Sequence, residues 1–472
     1  MKKLLLLASV FGLLMLTNAC RKSGSDSQEA ETITTPDSSL AGNMAKPPMP
    51  EWARNATIYE VNIRQFSQEG TFKAVEEQLP RLKELGVDIL WFMPVHPSGK
   101  AKPEDSLGSP YAVTNYMAVD SAYGETADFK ALVKRAHDLG LRVIMDWVPN
   151  HTSWEHPWVK AHPEFYTKIN GKIASPLDDK GKPSDLTYVA DLNYDNAAMR
   201  LEMIKAMKYW VKECDIDGFR CGVAGMIPGD FWAQARPALD SVKTMFMLAE
   251  WEDDPNQFST FNMNYGWGMY TVLKAIAQGA RPATSIDTLI AHNRKKFPPW
   301  YFQMLFTQNQ DINRKFGTLK EIFGQGAETF VVLTSTLEGM PLVYNGMEAS
   351  LEKRLSLSER DPISWGDYSK AGFYKSLLTL KHRNRALWNG TAGGRANKIP
   401  TDHDEAVYAF SRVKENDRIV VITNLTDQPQ LIRLTGEGFD GIYTEIFTRQ
   451  PTELKSGMSF SLKPWEYRVY TN

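Results

Sequence analysis

Four stretches of this chain end apolar runs on side chains that handle protons and charge. Arg142 to Trp147 carries Asp146 and leads into Asn150 and His151. Asp217 to Val223 carries Arg220, Phe246 to Trp251 carries Glu250, and Met304 to Gln308 leads into Gln310 and Asp311. A carboxyl can give or take a proton, an arginine holds a fixed positive charge, and an imidazole or amide can hydrogen-bond a polar ligand. If these runs are parallel strands of a closed barrel, their carboxyl ends point into one shared pocket. Polar residues gathered there call for a chemical explanation.

The elements that would position them follow the same pattern along the chain. From Trp52 onward, short β-branched runs alternate with segments of helical period, as parallel strands alternate with crossover helices. Candidate strands are Ile58 to Arg64, Val87 to Met93, Arg142 to Trp147, Asp217 to Val223, Phe246 to Trp251, Met263 to Trp267, Met304 to Gln308 and Met340 to Asn345. The amphipathic stretches Phe72 to Leu85 and Asp128 to Leu139 close on Gly86 and Gly140, where a helix C-cap favours glycine. The expected fold is α/β, a (β/α)8 TIM barrel over residues 51–390. Thr152 to Asp191, where Pro, Gly and Lys cluster without a period, reads as a loop-rich subdomain (152–191) inserted after the third strand and overhanging the active face. In 391–472, the runs Val407 to Val413, Arg418 to Leu425, Ile442 to Phe447 and Phe460 to Tyr470 predict a C-terminal antiparallel β-sandwich.

In order and spacing, Asp146-Trp147-Val148-Pro149-Asn150-His151, Gly218-Phe219-Arg220-Cys221-Gly222, Ala249-Glu250-Trp251 and Asn309-Gln310-Asp311 resemble the four short signature regions of the α-amylase family of glycoside hydrolases. Val189-Ala190-Asp191-Leu192-Asn193 resembles a fifth region, and Gly339-Met340-Pro341-Leu342-Val343-Tyr344-Asn345-Gly346 the family's last barrel strand. The resemblance implies action on α-1,4-linked glucans, starch and malto-oligosaccharides. It also implies a retaining mechanism, in which one carboxylate attacks the sugar and a second carboxyl serves as acid, then base. Carried onto this chain, Glu250 is the general acid/base, and the apolar run Met245 to Ala249 before it is a setting that keeps a carboxyl protonated. Asp311 matches the aspartate that grips hydroxyls of the reacting sugar, and Arg220 the arginine that holds the nucleophile ionised. Asp146 and His151 match residues that contact or orient the sugar, and Tyr111, in Gly108-Ser109-Pro110-Tyr111, the tyrosine that stacks on it. No cofactor is required. Asn150 and Asp191 match part of the set that holds calcium in some relatives and leave calcium open.

The chain departs from the family pattern where the chemistry is most exacting. The family reads Gly-Phe-Arg-x-Asp, and here Gly222 stands at the nucleophile position. Cys221 cannot replace it, because neighbouring strand residues face opposite ways, and Asp215 and Asp217 lie too far back along the strand. Gln310 stands where the family usually has histidine, and an amide donates a hydrogen bond without carrying charge. Met347 stands where related sequences often show glutamine. Loss of a nucleophile lowers turnover by about 10^6-fold in other hydrolases, so ordinary retaining hydrolysis is expected to be severely impaired. One alternative is a non-catalytic α-glucan-binding pseudoenzyme. Another is an inverting enzyme with a water in the space at Gly222 and Asp311 as its base, and a scaffold protein without sugar chemistry is a reading from another class.

Lys2 and Lys3, the apolar run Leu4 to Leu16 and Thr17-Asn18-Ala19-Cys20 read as a signal peptide (1–19) before a lipidated Cys20. Residues 20–50, rich in Ser, Thr, Asp and Pro, then form a flexible lipid-anchored linker. This places the protein in a bacterial cell envelope, bound to the membrane through its lipid alone. With three cysteines in 472 residues, Cys214 and Cys221 are the two left, too few for a disulfide framework. A net charge of -2 gives no basic footprint for nucleic acid. Aromatic residues, at 11%, suffice for a large core and leave ring faces on which sugars stack.

Overall fold

The computed structural model describes residues 45–100, 107–178, 181–252, 254 and 257–472. The expected signal peptide, Cys20 and the expected linker as far as residue 44 lie outside the described residues. Eight parallel strands close a barrel: β1 (Ile58–Val61), β2 (Ile89–Phe92), β3 (Arg142–Trp147), β4 (Gly218–Cys221), β5 (Phe246–Ala249), β6 (Met263–Tyr265), β7 (Phe302–Leu305) and β8 (Met340–Tyr344). Each pairs with its neighbours in sequence, and β8 pairs with β1 to complete the ring. Their residues are buried almost without exception, because such a sheet is covered on both faces, by helices outside and packed side chains inside.

Local chemistry fixes where the helices start and stop. Helix α1 (Phe72–Leu85) is capped by Thr71, whose side chain accepts from the Ala74 N–H, and it ends at Gly86 with φ 101°. A Cβ at Gly86 would stand 2.9 Å from the Leu378 Cβ, so the close approach also requires glycine. Helix α2 (Thr126–Asp138) opens on a reciprocal capping box between Glu125 and Asp128. At the amino end of β4, Asp217 accepts from the Val143 N–H, pairs with His137 (2.7 Å) and meets the Lys243 ammonium at 2.8 Å. Burial pushes this carboxyl up, but His137 and Lys243 outweigh it and hold it below the usual carboxylate range. Asp217 is thus a structural ion at the foot of the barrel, far from the polar strand ends.

Several expected boundaries shift. The first strand stops at Val61 rather than running to Arg64, because Ile63–Phe66 turns into one buried helical turn. The seventh begins at Phe302 and ends at Leu305. Among the described residues, 151–191 hold two short antiparallel pairs, His151–Ser153 with Val189–Asp191 and Lys168–Ile169 with Lys172–Ile173, beside the single-turn helix Pro157–Ala161.

After the barrel, a six-stranded antiparallel sheet is ordered β9 (Ala396–Lys398), β10 (Val407–Lys414), β11 (Asp417–Asn424), β16 (Tyr467–Thr471), β13 (Gly441–Glu445), β14 (Pro451–Leu454), and β12 (Gln430–Arg433) pairs with β15 (Ser459–Leu462). The expected single run Phe460 to Tyr470 is therefore two strands lying in different sheets. Val407, Ala409, Val420, Ile422, Ile432, Phe460 and Leu462 fill the space between the sheets. The opposite face of the larger sheet, with Tyr408, Phe410, Ile419, Val421 and Val469, belongs to the same apolar cluster as the barrel interior.

Candidate active site

β4 carries Arg220 into the middle of the barrel mouth. Its side chain is 1% exposed; Nη1 donates to Asp146 Oδ1 (2.9 Å), Nε to the Tyr265 hydroxyl (3.0 Å), and Nη2 pairs with Glu250 Oε1 (2.5 Å). Its guanidinium also lies over the rings of Trp91 (5.2 Å) and Tyr265 (5.5 Å). The period-2 alternation of the strand turns Cys221 outward, buried and with its thiol pushed far up by burial, and brings Gly222 round to the pocket side.

Gly222 lies where the strand leaves the barrel, its N–H donating to the Trp147 carbonyl (2.9 Å). A Cβ there would stand 3.2 Å from Arg220 Nη1, 3.4 Å from the Trp147 oxygen and 3.7 Å from Glu250 Oε2. The next residue, Val223, has φ 43° and ψ 42°, a left-handed conformation that a β-branched side chain rarely adopts. It aims the Val223 N–H at Glu250 Oε2 (2.8 Å). Glu250 follows β5 directly and so has both oxygens engaged. Burial raises its carboxyl, and Arg220 opposes that.

Around this centre, Tyr111 donates to Asp146 Oδ2 (3.4 Å) and accepts from Gln310 Nε2 (3.2 Å). Burial pushes Asp146 up to about 7 despite Arg220, with Glu250 adding to the rise. His151 is buried with Nε2 unpartnered, and burial takes its imidazole down to about 4, so it is neutral at physiological pH. Asp311 sits not on a strand but in the first turn of the short helix Gln310–Lys315, where the Asn309 side chain caps the Asp311 and Ile312 N–H groups. Its Oδ1 meets Lys315 Nζ at 3.0 Å and Arg314 Nη2 at 3.7 Å. Burial works to raise it, but Lys315 and Arg314 prevail and keep it ionised.

The match to known proteins agrees with this geometry. Residues 25–184 and 183–385 match the α-amylase catalytic domain. The chain belongs to the α-amylase family. Residues 398–469 of this α-amylase-family chain match the maltogenic amylase C-terminal domain. It is 28% identical to α-amylase MalA of Haloarcula japonica, across 87% of this chain and 61% of MalA, so it spans about three fifths of that relative's length. It is 31% identical to an oligo-1,6-glucosidase of Parageobacillus thermoglucosidasius, across 89% of this chain and 98% of the enzyme. Among solved structures, the noncanonic maltogenic α-amylase AmyB of Thermotoga neapolitana aligns with TM-score 0.78 and 28% identity, covering 88% of this chain and 98% of AmyB. An α-amylase from Lactobacillus plantarum aligns with TM-score 0.79 and 27% identity, covering 89% and 99%.

The α-amylase-family barrel thus gathers Asp146, Arg220, Gly222, Glu250, Tyr111, Gln310 and Asp311 at one mouth. Asn150 and Asp191 come to adjacent segments, the Leu192 N–H donating to the Asn150 carbonyl (3.1 Å). Burial pushes the Asp191 carboxyl up to about 6. Calcium takes about six to eight oxygens, and among the described residues no three His, Cys, Asp or Glu side chains converge as metal ligands. Asn150 and Asp191 alone supply too few of those oxygens.

Sequence reasoning missed four participants: Tyr265 and Trp91, which hold Arg220; Lys315, which pairs with Asp311; and Glu60, buried in the barrel at the level of Arg220. Lys315 was findable as the i+4 neighbour of Asp311. Glu60 was findable as an acid interrupting the run Ile58-Tyr59-Glu60-Val61.

Proposed function

We propose that this α-amylase-family protein binds α-1,4-linked glucans at the barrel mouth and has ordinary retaining hydrolysis severely impaired, because glycine occupies the nucleophile position. The observation that carries the reading is Gly222: beside Arg220 Nη1, where a carboxylate would have to reach the sugar, the chain offers only backbone. In this reading Glu250 is the acid/base, Asp311 and Gln310 grip sugar hydroxyls, and Tyr111, Asp146 and His151 shape the subsite. The relatives named amylases and a glucosidase support the substrate class.

A second reading, a non-catalytic glucan-binding pseudoenzyme, is favoured by Glu250. Both its oxygens are taken, by Arg220 and by the Val223 N–H, whereas a working acid needs a proton aimed at the glycosidic oxygen. The two readings share one test. Calorimetric titration with maltoheptaose is expected to show binding in the range of about 1 μM to 1 mM, the usual span for enzyme substrates. The same preparation should release almost no reducing ends. No detectable heat of binding would sink both readings, and turnover on the order of 10 s⁻¹ would sink the claim of impairment.

The proposed place of work is the cell envelope, held there by lipid on Cys20 after cleavage of the signal peptide. Cys20→Ala is expected to move the protein from the membrane to the soluble fraction of a bacterial host. A variant that stays in the membrane fraction would count against the anchor.

A further inference from the structure

A cavity of about 340 Å³ opens at the foot of the barrel, at the opposite end from the mouth that gathers Arg220 and Glu250. One wall belongs to the barrel, with Phe302 and Gln303 at the amino end of β7 and Glu338 and Gly339 just before β8. The other belongs to the C-terminal domain, with Arg412 and Lys414 of β10 and with Arg395 in the segment that enters β9. No step of the glucan reading uses this place.

The charges in the lining do not balance. Glu338 is its one carboxylate among the described residues, and Oε1 is engaged by Arg294 Nη2 (2.7 Å) and by the Ala396 N–H (2.8 Å). Three cations remain. Arg412 is 1% exposed, and its hydrogen bonds go to the backbone carbonyls of Gly394 (2.8 Å), Thr336 (2.9 Å), Leu337 (2.6 Å) and Trp388 (3.2 Å) rather than to a carboxylate. Lys414 donates to the Thr391 carbonyl (2.8 Å), and the exposed Arg395 has no partner among the described residues. A cleft lined by one sign of charge draws the other sign into it, and the planar fork of arginine matches the oxygens of a phosphate. Glycine keeps Arg412 within reach: Gly393 also lines the cavity, and a Cβ there would stand 3.0 Å from Arg412 Nη2.

The rest of the lining suits a body larger than the anion. Phe297, Tyr301 and Phe302 supply ring surface, on which a sugar stacks. Tyr301 is 6% exposed, and its buried hydroxyl has no hydrogen-bond partner, so a sugar hydroxyl would satisfy it. The volume lies at the lower end of the span of small-ligand sites, about 300–1,000 Å³, which is more than a bare phosphate needs.

We propose that this seam binds a phosphorylated monosaccharide, its phosphate held by Arg395, Lys414 and Arg412 Nη2 and its ring set against Phe297 and Tyr301. The two charges of a phosphate monoester answer three cations better than the single charge of a carboxylate. Because one wall is barrel and the other is C-terminal domain, the bound ester ties the two together. The site stands apart from the mouth and does not depend on glucan binding there.

Calorimetric titration of the full chain with glucose 6-phosphate is expected to give a Kd between about 10 μM and 1 mM, within the usual span for small metabolites. Inorganic phosphate should bind about tenfold more weakly or worse, and glucose not at all in that range. Arg395→Gln and Lys414→Gln alter groups that hold no ion pair, and the second covers a failure of the first to fold. Each is expected to weaken glucose 6-phosphate about tenfold or more, as loss of a charge-assisted hydrogen bond does. Tyr301→Phe should weaken the ester and leave inorganic phosphate unchanged. Absence of glucose 6-phosphate binding tighter than about 10 mM, or binding untouched in both cation variants, overturns the site. Displacement of the ester by excess maltoheptaose would put it in the mouth and overturns the site equally. Inorganic phosphate binding as tightly as the ester overturns the part given to the sugar ring.

Discussion

Gly222→Asp is expected to raise hydrolysis of maltoheptaose by about 10^4- to 10^6-fold over the parent, reversing the loss seen when hydrolases are stripped of a nucleophile. Position 222 has room for the change. Its φ lies outside the left-handed region, and the nearest atom to a new Cβ is the end of the Arg220 side chain at 3.2 Å, which can yield a few tenths of an ångström. The added carboxylate would lie against that guanidinium, draw Arg220 from Glu250 and free Glu250 to act as an acid. Reducing-end assays on parent and variant at equal concentration measure the effect. A variant no faster than the parent would mean that Gln310 and the Lys315–Asp311 pair have reshaped the pocket beyond the missing group. Any residual parent activity carries a second readout, the first anomer formed: the inverting alternative, with Asp311 as base, does not survive an α-anomer.

Arg220→Met should produce the largest loss of stability. The substitution conserves much of the volume but leaves Asp146, 0% exposed, and Glu250 without their shared cation. Breaking a buried ion pair by removing one partner costs about 3–5 kcal/mol, because a charge is left uncompensated, and here two are left. Urea unfolding is expected to move to a lower midpoint, with the extrapolated stability falling by about that amount. Part of the loss should be recovered in mild acid. Asp146, already pushed up to about 7, and Glu250, also raised by burial, can then be neutralised, whereas in alkali both must ionise. An unchanged midpoint would show that water, not Arg220, balances the two carboxylates.

The barrel was legible because its strands announce themselves: β2 and β5 are unbroken apolar runs, and that pattern survives any reasonable choice of boundary. The polar strand ends were legible for the same reason, since a charge closing such a run has few structural uses. What could not be read was pairing. Nothing in the linear order says that Arg220 bridges Asp146 and Glu250, 74 residues before it in one case, or that Val223 takes a left-handed turn to reach Glu250. Glu60 was passed over because it sits one residue inside a strand that seemed to run on to Arg64, whereas β1 in fact ends at Val61 and the pocket begins there. In the C-terminal domain, β9, β12 and β14 are three or four residues long, too short to leave a period, and were seen only once their long neighbours were in place.

The sheet facing the barrel has a consequence for how the molecule comes apart. Since Tyr408, Phe410, Ile419, Val421 and Val469 sit in one continuous hydrophobic mass with the barrel, the carboxyl-terminal appendage is less a passenger than a wall. Cutting the chain after the last crossover helix would lay bare a greasy flank on both fragments, so neither is built to persist alone in water.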